Sequence, residues 1–335
     1  MFPRGAYCTF SILALSITFL HFSVSATISA PNFSGVWISG SPPSSIKRFF
    51  SKSLDESLHG LVKEAFQKTT RALFLCKATE AYYKDYDTNG NFRIVPSWIK
   101  LADIEAFRAQ HTRAALRTKY GYGPDDVIIA NIGTVCERKG QHIFIRAVEH
   151  FNHHIHDQRS YRFLLVGGRP SAYLEMLMAD IGALGVTNID VIPETRDVYD
   201  FFVLSDLFVC SSFEKSFPRV LLEAMAFRTP IVSTDVHGIP EIVRNRAEAY
   251  LMPPGDAALT SQLMQTCLAK ERSGKSFTGP AYSKVLRYYD YDRVLPFHAD
   301  LAREAFLGNR VVSAPNEASI AGFRAVAPVP NSVGK

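Results

Sequence analysis

From Val127 onward, short uninterrupted apolar runs alternate with longer stretches in which apolar residues recur every three or four positions. The runs are VIIANIG from Val127, FLLVGG from Phe163, IDVI from Ile189, LFVCSS from Leu207, PIVST from Pro230 and AYLM from Ala249. The stretches between and after them predict helices over about Gln141–Phe151, Ala172–Leu184, Val198–Ser205, Pro218–Phe227, Pro240–Val243 and Ala257–Lys270. Strands apolar on both faces need helices above and below, and parallel neighbours need a crossover between them. The pattern therefore predicts an α/β fold, a doubly wound parallel sheet. Upstream the signal is weaker. A helix is expected over Leu58–Ala72, short strands at Leu73–Cys76 and Phe92–Pro96, and a helix capped by Asp103 that runs to about Lys119 and stops at Gly121. Helices around 283 to 306 follow the sheet, and residues 308–335 lack any period and read as a disordered tail.

The first thirty residues differ in kind. Residues 8 to 29 carry no formal charge and are rich in Leu, Ile, Phe and Val, behind the single charge of Arg4. Small residues at Val24-Ser25-Ala26 and at Ile28-Ser29-Ala30 suit a cleavable secretory signal over residues 1–30; an uncleaved membrane anchor is the rival. Asn32-Phe33-Ser34 is a glycosylation sequon. Residues 31–57, dominated by Ser, Pro and Gly, read as a linker. A leader implies the secretory pathway or a membrane surface; without a true leader the chain is expected in the cytoplasm.

Composition narrows the function. The 335 residues are 47% hydrophobic and 21% charged, ordinary for globular protein, with a net charge of +5 that is too diffuse for a nucleic-acid binder. Five scattered cysteines, none in a C-x-x-C pair, indicate neither a disulfide framework nor a zinc site. His150 and His154, four apart, have metal-ligand spacing but fall at a helix C-terminus, where imidazoles are favoured by the dipole. Gly167-Gly168 is only half of a dinucleotide signature, and His237-Gly238 after the fifth strand fits either a cleft residue or a turn before Pro240.

Ligands of such sheets lie beyond the carboxyl ends of the strands. There, Gly133-Thr134-Val135-Cys136-Glu137-Arg138-Lys139-Gly140-Gln141 sets two adjacent cations at the mouth of a helix, chemistry suited to a phosphate. In Phe213-Glu214-Lys215-Ser216-Phe217-Pro218-Arg219, Ser216 suits an N-cap and Pro218 a first turn, so that unpaired amides face the cleft. Glu223 sits among Val220, Leu221, Leu222 and Met225, where a carboxylate needs either a structural hydrogen bond or a ligand such as a ribose diol.

The run SDLFVCSSFEKSFPRVLLEAMAFRTPIVSTDVHGIPEIV, with ANIGTVCERKGQ and RFLLVGG, resembles the donor-binding C-terminal domain of family 4 retaining glycosyltransferases of the GT-B fold, over about residues 58 to 305. The resemblance implies transfer of a hexose, with retention, from a UDP- or GDP-sugar to a glycan, lipid or small-molecule acceptor, and requires neither a metal nor another cofactor. It places the donor at Gly133, Thr134, Arg138, Lys139, Lys215, Ser216, Phe217, Pro218, Arg219 and Glu223, with Lys139 and Arg138 on the diphosphate, Glu223 on the ribose and the loop Ile192–Arg196 near the base. Lys139 and Glu214 are the residues it implicates in catalysis.

Three departures stand out. The family motif has two glutamates with seven residues between them; counting back from Glu223 reaches Lys215, so either the loop bulges to let Glu214 serve or that carboxylate is lost. The arginine often found after the first strand's glycine is Thr134 here. Third, only about seventy residues lie between the linker and the donor domain, where a domain usually needs roughly 100 to 200. On this reading residues 58–122 are a remnant of the N-terminal domain plus the crossing, residues 123–307 are the donor domain, and the chain resembles a truncated enzyme. The alternative is a non-catalytic nucleotide-sugar-binding module that needs a partner chain.

Overall fold

In the computed structural model, residues 25–28, 34–38, 63, 66, 67, 69 and 71–307 are described. The leader's apolar stretch up to Val24, most of Leu58–Ala72 and the tail 308–335 lie outside these residues. The described residues divide into two units, one ending at Val95 and taking in the chain from Phe297, the other Pro96–Pro296.

The first unit is a four-stranded sheet in the order β1-β2-β3-β4, with β1 at Ser25–Ile28, β2 at Ser34–Ile38, β3 at Arg71–Phe74 and β4 at Phe92–Ile94. β1 runs antiparallel to β2, whereas β2, β3 and β4 are mutually parallel. Ser25–Ile28 and Ser34–Ile38 are therefore strands, where composition suggested the end of a leader and the start of a linker. Both lie in the uncharged, Ser-rich stretch whose composition reads as leader and linker. Phe66, Phe74, Tyr83 and Phe92 form the buried aromatic cluster of this unit, with the rings of Phe74 and Phe92 4.7 Å apart.

The second unit holds the six expected strands: β5 (Val127–Ile132), β6 (Tyr161–Gly168), β7 (Ile189–Pro193), β8 (Leu207–Cys210), β9 (Ile231–Thr234) and β10 (Tyr250–Met252). All pair in parallel, in the order β10-β9-β8-β5-β6-β7. The doubly wound α/β sheet is thus present as expected. Its chain path reverses between β5 and β8, the point at which such sheets open a crevice. Ile129, Phe144, Phe151, Phe163 and Leu207 are fully buried in its core, between strands and covering helices. Burial of side chains of this size contributes roughly 1.5–3 kcal/mol each.

Residues 96–122 fold with this second unit rather than with the segment before them. Asp103 does not cap one long helix. Two helices form, Leu101–Gln110 with Lys100 at its N-cap and Arg113–Lys119 capped by Thr112, whose side chain accepts from the Ala115 amide at 3.2 Å. Asp103 lies in the first turn of the former and pairs with Lys100 at 3.1 Å. The second helix sends Arg113 and Arg117 to Asp206 at 2.6 and 2.7 Å, and Lys119 reaches Asp200 at 2.6 Å. Asp206 also accepts from the Ile128 amide, which ties this ion cluster to the amino-terminal end of β5.

Candidate donor site

The site is assembled by two loops at the sheet's reversal. After β5 the chain passes Gly133 and Thr134 and makes one 3-10 turn, Glu137–Lys139. It then enters the helix Gln141–His154 through Gly140, at φ 64°. Gly140 cannot be replaced freely: a Cβ there would collide with the Ser211 carbonyl and press on the Phe213 ring. Gly167, at φ 111°, is constrained likewise, since a Cβ would sit 2.5 Å from the Gly133 carbonyl. These two close approaches bring the ends of β5, β6 and β8 together.

A chain of buried polar groups fixes the lysine. Asn131 donates to the Ser211 hydroxyl at 3.1 Å, and that hydroxyl donates to the Lys139 carbonyl at 3.0 Å. Gln141, fully buried, closes the turn by donating to the Thr134 carbonyl at 3.2 Å. The Lys139 ammonium lies over Gly133, 3.2 Å from where a methyl on that residue would stand. A small cavity lined by Asn131, Lys139, Gln141, Cys210, Ser212 and Val220 opens beside it. Asn131, Gln141 and Ser211 were not singled out from sequence; Asn131 and Ser211 offered only polarity inside otherwise apolar runs, and Gln141 only its place at a helix start.

The second loop follows β8. The Phe213 amide donates to the Arg138 carbonyl at 2.9 Å, and the Lys215 carbonyl accepts from the Gly238 amide at 3.3 Å. The backbone flanking Lys215 is thus pinned on both sides, to the β5 loop and to the β9 loop. Burial together with the positive charges of Lys139 and Arg138 pulls the Lys215 amine down to about 7. Glu214 is half-buried in the same loop. Ser216 is buried but does not cap the helix. The helix runs Arg219–Phe227, and Pro218 occupies the N-cap with no side-chain hydrogen bond. Proline's fixed φ already sets the entry angle, and first-turn amides have no carbonyl within the helix in any case. The Phe217 ring is buried edge-on against Tyr289, so it braces the helix start from within the unit.

Glu223 is half-buried on this helix, and its carboxyl is raised by burial, an effect opposed by Arg219 and Lys139. Among the described residues it makes no side-chain hydrogen bond, so its acceptor capacity stays available to a ligand. Thr134 is exposed, and Arg138 and Arg219 reach solvent. Beyond β6 and β7, the Glu194 amide donates to the Gly168 carbonyl at 2.9 Å and Arg169 pairs with Glu194 at 2.7 Å, which shapes the loop Ile192–Arg196. His237 takes φ 48° in the exposed turn after β9. His154 bonds the His150 carbonyl at 2.7 Å at the far end of its helix, away from the cations.

Residues 126–270 match the family model of glycosyl transferases group 1. The chain carries a glycosyl transferases group 1 domain. It is 30% identical over 217 residues to a D-inositol 3-phosphate glycosyltransferase of Streptomyces bingchenggensis, covering 62% of this chain and 47% of that one. The chain thus spans about half the length of this curated relative. Among solved structures, a glycosyltransferase from Rickettsia africae superposes with a TM-score of 0.67 at 17% identity, over 82% of this chain and 71% of that one. HepE of Anabaena, in complex with UDP and glucose, superposes with a TM-score of 0.61 at 18% identity, over 74% and 67%. These likenesses give the fold, that of GT-B glycosyltransferases. Of the residues named from sequence, the group 1 domain brings Gly133, Arg138, Lys139 and Lys215 together at the crevice and sets Glu223 facing Lys139 and Arg219.

Proposed function

We propose that the chain transfers a hexose, with retention, from a nucleoside diphosphate sugar to a hydroxyl acceptor. The observation that carries this reading is the group of cations at the reversal of the sheet, Lys139 with Arg138 and Lys215, together with Glu223, a carboxylate that forms no hydrogen bond among the described residues. Such a cluster is unfavourable by itself and becomes favourable when a diphosphate enters. In the transfer the bond from the sugar's anomeric carbon to the diphosphate oxygen breaks, a bond from that carbon to the acceptor oxygen forms, and the acceptor hydroxyl gives up its proton to the departing diphosphate. Negative charge collects on the departing diphosphate, and the Lys139 ammonium and first-turn amides are placed to stabilise it. Glu223 is assigned to the ribose hydroxyls, whose protons a carboxylate accepts. The UDP complex of HepE favours uridine as the base.

The test is calorimetric titration of the full chain with UDP, GDP and ADP, with turnover of the corresponding sugar donors followed in the same samples. Binding with transfer or donor hydrolysis is the expected result. Failure of all three nucleotides to bind would overturn the reading, and binding without turnover would replace transfer by donor binding alone. Glu223→Gln separates the roles within the site. Affinity for UDP should fall while that for inorganic diphosphate stays nearly unchanged, and equal losses would remove the ribose assignment.

A further inference from the structure

At the outer edge of the sheet a second concavity is built from other residues. The turn before β10 folds back on that strand: the Arg246 amide donates to the Ala249 carbonyl at 2.7 Å, and the Asn245 side chain accepts from the Leu251 amide at 3.0 Å. Closing this turn puts Arg246 at φ 60°, a left-handed conformation that residues with a Cβ rarely adopt. Across from it runs the helix Ala257–Arg272, on which Leu259, Gln262, Leu263, Thr266 and Lys270 recur at helical spacing and so share one face. With Arg246 and Tyr250 they line a cavity of about 400 Å³. β9 and β8 lie between β10 and β5, so this cavity is separate from the crevice at the sheet's reversal.

Leu259, Leu263 and Tyr250 are half-buried and make the walls apolar, while Gln262, Thr266 and Arg246 are exposed at the rim. The Lys270 ammonium lies 3.2 Å from the centre of the Phe277 ring and 5.9 Å from that of Tyr250, and these two rings meet edge-on at 5.2 Å. The aromatic faces hold the ammonium in place without supplying a counter-charge. Among the described residues neither Arg246 nor Lys270 forms a salt bridge, whereas Arg244, two positions earlier, pairs with Glu248 at 2.7 Å. Glu271, next to Lys270, buries a carboxylate oxygen and does not line the cavity.

We propose that this cavity binds an acidic sugar unit, a pyranose ring that bears a carboxylate. The carboxylate pairs with Arg246 and Lys270, the ring hydroxyls bond the amide of Gln262 and the hydroxyl of Thr266, and the C–H face of the ring packs on Tyr250 and the two leucines. A bare inorganic anion would leave the apolar walls and most of the volume unfilled, and an acyl chain would lie against two polar side chains. The inference goes beyond the donor-binding reading and does not depend on it.

The probe is D-glucuronate, added to the full chain and followed by saturation-transfer NMR, with D-glucose and inorganic phosphate as controls. Glucuronate should bind roughly ten-fold or more tightly than either control, and less tightly as salt is raised. Arg246→Gly suits the left-handed backbone, so it removes one cation without strain. It should weaken glucuronate binding about ten-fold, the loss of one charge-assisted bond, with the melting temperature retained. Gln262→Glu, at an exposed helical position, sets a negative charge on the rim and should weaken glucuronate by a similar factor. UDP affinity should be unchanged in both variants, which keeps this result separate from the donor-binding reading. A hyaluronan tetrasaccharide, which carries the same acid within a chain, distinguishes the source: tighter binding than glucuronate assigns the site to a glycan, and equal or weaker binding to the free acid. No binding of glucuronate by the wild type, or glucose or phosphate binding as tightly as glucuronate, would overturn the inference. Undiminished glucuronate binding in Arg246→Gly and Gln262→Glu would overturn it as well.

Discussion

The two ends of the parallel sheet use cations in opposite ways. At the amino-terminal end, Arg113, Arg117 and Lys119 each meet a carboxylate at 2.6 to 2.7 Å, and Asp206 also takes a backbone amide. At the carboxyl-terminal end, Arg138, Lys139 and Lys215 gather without a salt bridge among the described residues, and the nearby carboxylate, Glu223, is raised by burial rather than lowered by a close partner. Paired charges at one end hold the helix Arg113–Lys119 to the sheet. Unpaired like charges at the other end oppose folding locally, a cost that persists where a ligand of opposite sign is the missing partner. On the donor-binding reading proposed above, the contrast lies in who supplies the anion.

The largest effect should come from breaking the paired end. Asp206→Ala leaves Arg117, 7% exposed, without its carboxylate and should lower stability by about 3 kcal/mol in urea denaturation, with nucleotide affinity of the folded protein unchanged. A loss of affinity without a loss of stability would erase the distinction between the ends. Lys139→Ala is the mirror experiment. It should weaken UDP binding by about 1 to 3 kcal/mol in calorimetry while costing no stability, because a repulsion leaves with the charge.

A pH series sharpens the contrast further. The Lys215 amine is lowered to about 7 in the folded chain from 10.5, so between those values the unfolded chain holds a proton that the folded chain lacks. Stability of the nucleotide-free protein should therefore rise with pH across that window, and Lys215→Met should flatten the rise. Identical slopes would show that the amine is not displaced from its ordinary range. The smallest change expected is that of Ser211→Ala, which removes the link between Asn131 and the Lys139 carbonyl. A loss of about 1 kcal/mol in stability with slightly weaker UDP binding is expected, and unaltered values for both would mean the link does not position the lysine.

Much of the domain could be read from sequence because the strands of a buried parallel sheet are continuous apolar runs. Every such run from Val127 to Met252 became a strand, with ends displaced by a residue or two. The candidate site was half legible. Arg138 and Lys139 stand out after a strand, and the helix start near Pro218 is marked by its proline. Asn131 and Ser211 did not stand out, since a polar residue within an apolar run has no period and their partners lie some seventy to eighty positions away, whereas Gln141 reads as an ordinary first-turn residue of its helix. Ser216 looked like a cap because capping residues are known by type, and only the backbone geometry gave the position to Pro218. The break at Thr112 and the short strands β1 and β2 were missed for a related reason. An apolar pattern continues across a break, and β1 and β2 lie in the uncharged, Ser-rich stretch whose composition reads as leader and linker.

The sequence by itself determined which segments become strands and helices of the second unit, and that two cations follow its first strand, because burial periodicity and composition are local properties. Only the tertiary structure decided the strand order that brings β8 beside β5. With it came the approach of Lys215 to Lys139 and the pairing of Asp206 with Arg113 and Arg117. Those relations join residues some seventy to ninety positions apart, and an amine's proton affinity is set by the charges that folding places around it.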